Sequence, residues 1–88
     1  MIKGVTKNGF CFEIDEARAD NMEFLEALAE TQENALAFPK VCSMLLGEEQ
    51  KKRLYDYLRD ENGRVPIADV EEAITDIMAS SGEQVKNS

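Results

Sequence analysis

Cys11 and Cys42 are the side chains with the strongest nucleophilic chemistry in this sequence, and the chain holds no histidine to activate either. Acid–base work would therefore fall to carboxylates. Glu23, Glu26 and Glu30 recur at spacings of three and four, which places them on one side of a helix. Nothing else in the chain would hold a substrate between them, so they read as a solvated face. Lys51-Lys52-Arg53 could grip a phosphate. However, Glu48 and Lys52 lie four apart in acid-first order, as do Glu49 and Arg53, so the cluster reads better as a charge ladder worth about 0.2–0.5 kcal/mol per pair. Asp60-Glu61-Asn62-Gly63 resembles a piece of a calcium loop. With Gly63 as the sixth loop residue, the first ligand position falls on Leu58 and the last on Asp69, so one ligand is missing and another is a methylene short. Two cysteines alone make no zinc site, and the five glycines are too scattered to cradle a phosphate. These residues build no active site. The expectation is a protein without cofactor or metal that is not an enzyme and works by contact.

Contact would be carried by adaptable side chains, and Phe38, Met44, Tyr55 and Tyr57 are the candidates for a partner-binding surface. The competing role for each is ordinary core or incidental surface.

The chain has 88 residues, enough for one domain with a modest core. Hydrophobic residues make up 43% and charged residues 32%, a globular rather than disordered balance. A formal net charge of −8 argues against a nucleic-acid binder and favours a basic partner or simple solubility. No apolar run suits a membrane span, and no secretory signal is visible, so export is not expected. In a cytosolic setting the two cysteines read as reduced thiols, with a disulfide as the alternative.

The elements that would position these side chains can be read in order. Residues 2–14 have the alternation of a β-hairpin around Asn8-Gly9, the turn signal of a type I′ loop. That turn pairs Lys7 with Phe10, Val5 with Phe12 and Lys3 with Ile14, placing Val5, Phe10, Phe12 and Ile14 on the buried face and Ile2, Gly4, Thr6, Cys11 and Glu13 on the other. A lone hairpin is marginal and must rest on helices; pairing with a second copy through its edge would give a homo-oligomer. Residues 15–19 form at most one helical turn. Asp20 and Glu23 suggest a capping box for a helix running to about Thr31, with Met22, Leu25, Leu28 and Ala29 buried and Phe24 flanking. A short turn at 34–37 precedes Pro39, and a helix follows over about 39–46. Gly47 breaks it, and a second helix begins at Glu48, carries Leu54 and Leu58 inward and closes at Gly63. Ile67, Val70, Ile74, Ile77 and Met78 give a last helix over about 66–80, stopped by Ser80-Ser81-Gly82. The fold class is α+β and mostly α: a hairpin packed on about four short helices, one domain over 1–82, and a flexible tail at 83–88.

Four runs carry a family resemblance: Phe-Cys-Phe-Glu-Ile-Asp at 10–15, Met-Glu-Phe-Leu-Glu-Ala-Leu-Ala-Glu at 22–30, Leu-Ala-Phe-Pro-Lys-Val at 36–41, and Met-Leu-Leu-Gly-Glu-Glu-Gln through Asn-Gly-Arg-Val-Pro at 44–66. Together with the ending Val-Lys-Asn-Ser, they resemble the tail assembly chaperones of tailed phages and prophages of Gram-positive bacteria. The resemblance implies a helper in the cytoplasm of the bacterial host, missing from the mature virion. Such a helper binds the long helical tape measure protein, keeps it soluble and assists polymerisation of the tail tube protein. It implies no shared set of ligand-binding residues. It also raises a longer frameshifted form, because Val85-Lys86-Asn87 can be encoded by a slippery run of adenines. Two other functions fit the composition: an acidic inhibitory protein mimicking nucleic acid, against which Lys51 to Arg53 interrupt the acidic surface, and a minor structural protein of the virion.

Overall fold

A computed structural model describes the backbone of residues 1–86 and the side chains of residues 1–80. Strands β1 (Ile2–Val5) and β2 (Cys11–Ile14) form an antiparallel hairpin. Helices α1 (Glu16–Ala19) and α2 (Met22–Glu30) follow, then a 3-10 turn (Ala35–Ala37), then the long α3 (Phe38–Leu58) and α4 (Ile67–Lys86). The expected class holds: α+β, mostly α, with the hairpin laid on helices. The core gathers Phe10, Phe12 and Ile14 from the hairpin, Phe24 and Ala27 from α2, Val41, Leu45 and Leu54 from α3, and Val70, Ile74 and Ile77 from α4.

The hairpin turn differs from the expected one, and the difference reverses a strand. Thr6 N–H donates to Phe10 O and Gly9 N–H donates to Thr6 O, both at 2.9 Å. This leaves a three-residue loop, Lys7-Asn8-Gly9. Within the loop only Gly9 takes a positive φ, 93°, and no non-glycine residue does among the described residues, so Asn8 does not adopt the type I′ conformation. The register becomes Ile2 with Ile14, Gly4 with Phe12 and Val5 with Cys11, one residue away from the expected pairing. Because side chains alternate, a slip of one turns every β1 residue over. Ile2 and Thr6 are buried, and Val5 is 64% exposed. Thr6 suits the buried site because its hydroxyl meets Asn8 Oδ1 and accepts from Phe10 N–H at 3.0 Å.

Gly4 is set by the ring opposite. A Cβ there would lie 2.7 Å from Phe12 Cζ, and Phe12 is itself buried. Gly4→Val is therefore expected to cost about 1–3 kcal/mol through overpacking. For a chain of this size that lowers the melting temperature by at least ~4 °C, measurable by circular dichroism. An unchanged melting temperature would mean that Phe12 does not cover Gly4.

The outer edge of β2 is occupied by α3. The Gln50 carboxamide accepts from Glu13 N–H at 2.8 Å and donates to Glu13 O at 2.7 Å, imitating a strand residue. Arg53 Nη2 donates to Cys11 O at 3.2 Å, with its guanidinium 5.4 Å from the Phe10 ring centroid. Of the hairpin's two edges, this one is closed within the chain.

Asp15 caps α1, accepting from Ala17 N–H at 3.0 Å. The cap of α2 is Asn21, not Asp20: Asn21 Oδ1 accepts from Glu23 N–H at 3.0 Å, while Asp20 terminates α1. The expected capping box is thus displaced by one residue, because Asp20 is already used by the preceding turn. Asn34 caps the 3-10 turn in the same manner. The expected break at Gly47 is present. Its φ of 79° and ψ of 163° interrupt α3 and divide it into two helical halves. Arg18 on α1 reaches the break and donates from Nη1 to Met44 O at 3.2 Å, satisfying a carbonyl at the end of the first half. Two other details differ from expectation. Ile67 is 74% exposed, since it sits in the first turn of α4 ahead of the residues that meet the core, and Ala73 is buried in its stead. Helical backbone also continues past the expected stop at Ser80-Ser81-Gly82 to Lys86. The expected flexible tail reaches residues 87 and 88, which lie outside the described residues.

Candidate interaction surface

The residues with chemical potential are dispersed. Cys42 is buried and Cys11 exposed, and both are free thiols. Burial pushes the Cys42 thiol up, against smaller opposing effects of the Tyr55 hydroxyl and Lys51. Tyr55 is pushed up to about 12, first by burial and then by the neighbouring Cys42. Both groups are neutral at pH 7, and a buried neutral thiol is a poor nucleophile. Among the described residues no group of three acidic, cysteine or histidine side chains is placed to hold a metal ion. The depressions beside Cys11 and beside Gly47 are open to solvent rather than enclosed.

The basic cluster is paired, though not as the spacing suggests. Lys51 Nζ meets Glu48 at 3.2 Å and donates to Ser43 Oγ at 2.8 Å. Lys52 meets Asp56 at 3.2 Å, and Arg53 is spent on the hairpin. The expected partners, Glu48 for Lys52 and Glu49 for Arg53, are replaced because Lys51 sits closer to Glu48 and Cys11 O draws Arg53 away. The three cations are thus each engaged by a different partner within the chain. The Asp60 segment is a turn: its carboxylate accepts from the N–H groups of Asn62 (2.9 Å) and Arg64 (3.0 Å), and Gly63 takes a φ of 82°.

The four candidate partner-binding residues are not gathered into one open surface. Phe38, Met44 and Tyr55 are half-buried and pack against the core. Tyr57 is about half exposed. It donates its hydroxyl to Asn8 O at 2.9 Å and sets its ring 5.7 Å from that of Phe10, so it clasps the hairpin turn.

An open apolar surface lies elsewhere, on α2. The expected buried stripe there was Met22, Leu25, Leu28 and Ala29; the helix buries Phe24 and Ala27, with Leu28 half-buried. Met22 is 67% exposed and Leu25 55% exposed, and Ala29 is open beside them. The aromatic ring decides the rotation: inserting Phe24 removes more apolar area from water than inserting Met22. At 3.6 residues per turn, Met22, Leu25 and Ala29 fall within about 60° of one another, a strip along the outside of the helix. Glu26, Glu30 and Glu23 line one border. The 3-10 turn packs beside α2 and carries Leu36, 87% exposed. Sequence spacing held the signal, since α2 has two overlapping apolar stripes and only one can face inward.

The chain matches no family model, no curated protein and no solved structure. Among the described residues no helix is long and apolar enough to cross a membrane.

Proposed function

We propose that this chain is a tail assembly chaperone of a tailed phage or prophage. In this reading it acts in the cytoplasm of the bacterial host, binds the tape measure protein and keeps it soluble while the tail tube protein polymerises around it. The carrying observation is the open apolar strip on α2, set in an acidic body with net charge −8. A protein that masks an amphipathic helix needs such a strip, and its charge keeps the complex in solution. The resemblance of the runs at 10–15, 22–30, 36–41 and 44–66 supplies the family. No reaction is part of this function. Contacts need to be moderate and reversible, because the helper leaves as the tube closes.

The test is co-expression with the long helical tape measure protein. The soluble fraction of that protein should rise with this chain and stay low without it. An acidic nucleic-acid mimic is favoured by the glutamate row of α2, and it predicts no such rise. Abundance in purified virions would instead identify a structural component.

A further inference from the structure

We infer that the outer face of α2 is a docking strip for a basic amphipathic helix. The inference rests on the contact function just proposed and names the surface and the chemistry of its occupant. Three observations converge on it. Met22, Leu25 and Ala29 present an apolar line at helical spacing, with most of the surface of Met22 and Leu25 in water. Leu36, 87% exposed, adds a further open apolar side chain on the adjoining 3-10 turn. Glu23, Glu26, Glu30 and Glu33 stand exposed on the same segment and take part in none of the ion pairs among the described residues. Other acidic side chains, such as Glu49, Glu61, Glu71 and Glu72, are also outside these ion pairs, so what sets the α2 glutamates apart is their place along the border of the apolar line. An apolar line with an unpaired anionic border is complementary to a helix carrying leucine-like residues at spacings of three and four and lysine or arginine along one flank. The apolar line supplies affinity, and the border sets the orientation of the incoming helix and excludes acidic ones.

The probe is an 18-residue fluorescent peptide of leucine and lysine in helical period, titrated with the full chain and followed by anisotropy. A peptide with the same leucines and glutamate in place of lysine is the control. The basic peptide should bind and the acidic one should not. Leu25→Asp should weaken binding about tenfold, the loss expected from one large apolar contact. The direction is decisive, because this substitution adds negative charge; attraction by charge alone would be strengthened by it. Met22→Ser, at a residue two-thirds exposed, should also weaken binding, and circular dichroism checks that both variants remain folded. Absence of binding, equal binding of both peptides, or unchanged binding by both variants would overturn the assignment. Failure of the proposed function is distinguishable. If the strip binds the basic peptide but the tape measure protein gains no solubility, the surface stands and the chaperone reading falls. If Leu25→Asp and Met22→Ser solubilise the tape measure protein as well as the wild type does, the chaperone reading stands and the strip falls.

Discussion

Leu54→Ala is expected to remove about 2.7–5 kcal/mol from the stability of the fold. Leu54 is wholly buried in the second half of α3, within the cluster that joins the hairpin, both halves of α3 and α4. Truncation loses the transfer free energy of the side chain and leaves a cavity that several elements would have to move to fill. A chain of 88 residues has a total stability of only ~4–13 kcal/mol, so the variant should unfold at a much lower urea midpoint or lack a folded baseline. Ile67→Ala is the matched comparison. Spacing alone places Ile67 on the buried face of its helix as firmly as Leu54, yet Ile67 is largely in water. Its replacement should change stability by no more than about 0.5 kcal/mol. Equal losses at the two sites would contradict the described core.

Gly47→Ala tests the break in α3 by its sign. In an unbroken helix, alanine would be better than glycine by about 0.8–1 kcal/mol. At φ 79° and ψ 163° the backbone is in a region that only glycine visits readily, and the expected result is a loss of about 1–3 kcal/mol. A second effect adds to the loss. A Cβ at Gly47 would lie 3.3 Å from Arg18 Nη2, on the guanidinium that satisfies Met44 O. Gly63→Ala is the comparison, since Gly63 also has a positive φ, 82°, but nothing within 4 Å of a Cβ. Denaturant unfolding should show Gly47→Ala as the more damaging of the pair. A stabilised Gly47→Ala would mean that α3 is one continuous helix.

Much of the fold was legible because it rests on local backbone chemistry. Gly47 marks the break, Asn8-Gly9 marks a hairpin and Pro39 marks the start of α3, whereas Gly63, expected to close the second half of α3, lies in a separate turn beyond its end at Leu58. These residues restrict φ or bond their own neighbours whatever the rest of the chain does. What was not legible depended on a choice between near-equal local options. Asn-Gly serves a two-residue or a three-residue loop, and the difference of one residue decides whether Ile2 or Val5 is buried. In α2 the stripe through Met22 and the stripe through Phe24 both satisfy helical spacing, and the fit of Phe24 against the core settles which turns inward. The same ambiguity hid the candidate surface. Met22 and Leu25 look like core in sequence, whereas Phe38, Met44 and Tyr55, chosen for their adaptable side chains, are held half-buried by α3. Exposure is a property of packing, so no residue type could announce it.

The most direct measurement is the soluble yield of the tape measure protein proposed as partner when it is co-expressed with the wild-type chain, with Leu25→Asp, and with neither. Work by contact through α2 predicts high, low and low yields in that order, with both versions of the small protein equally abundant and folded. Equal yields in all three would contradict it.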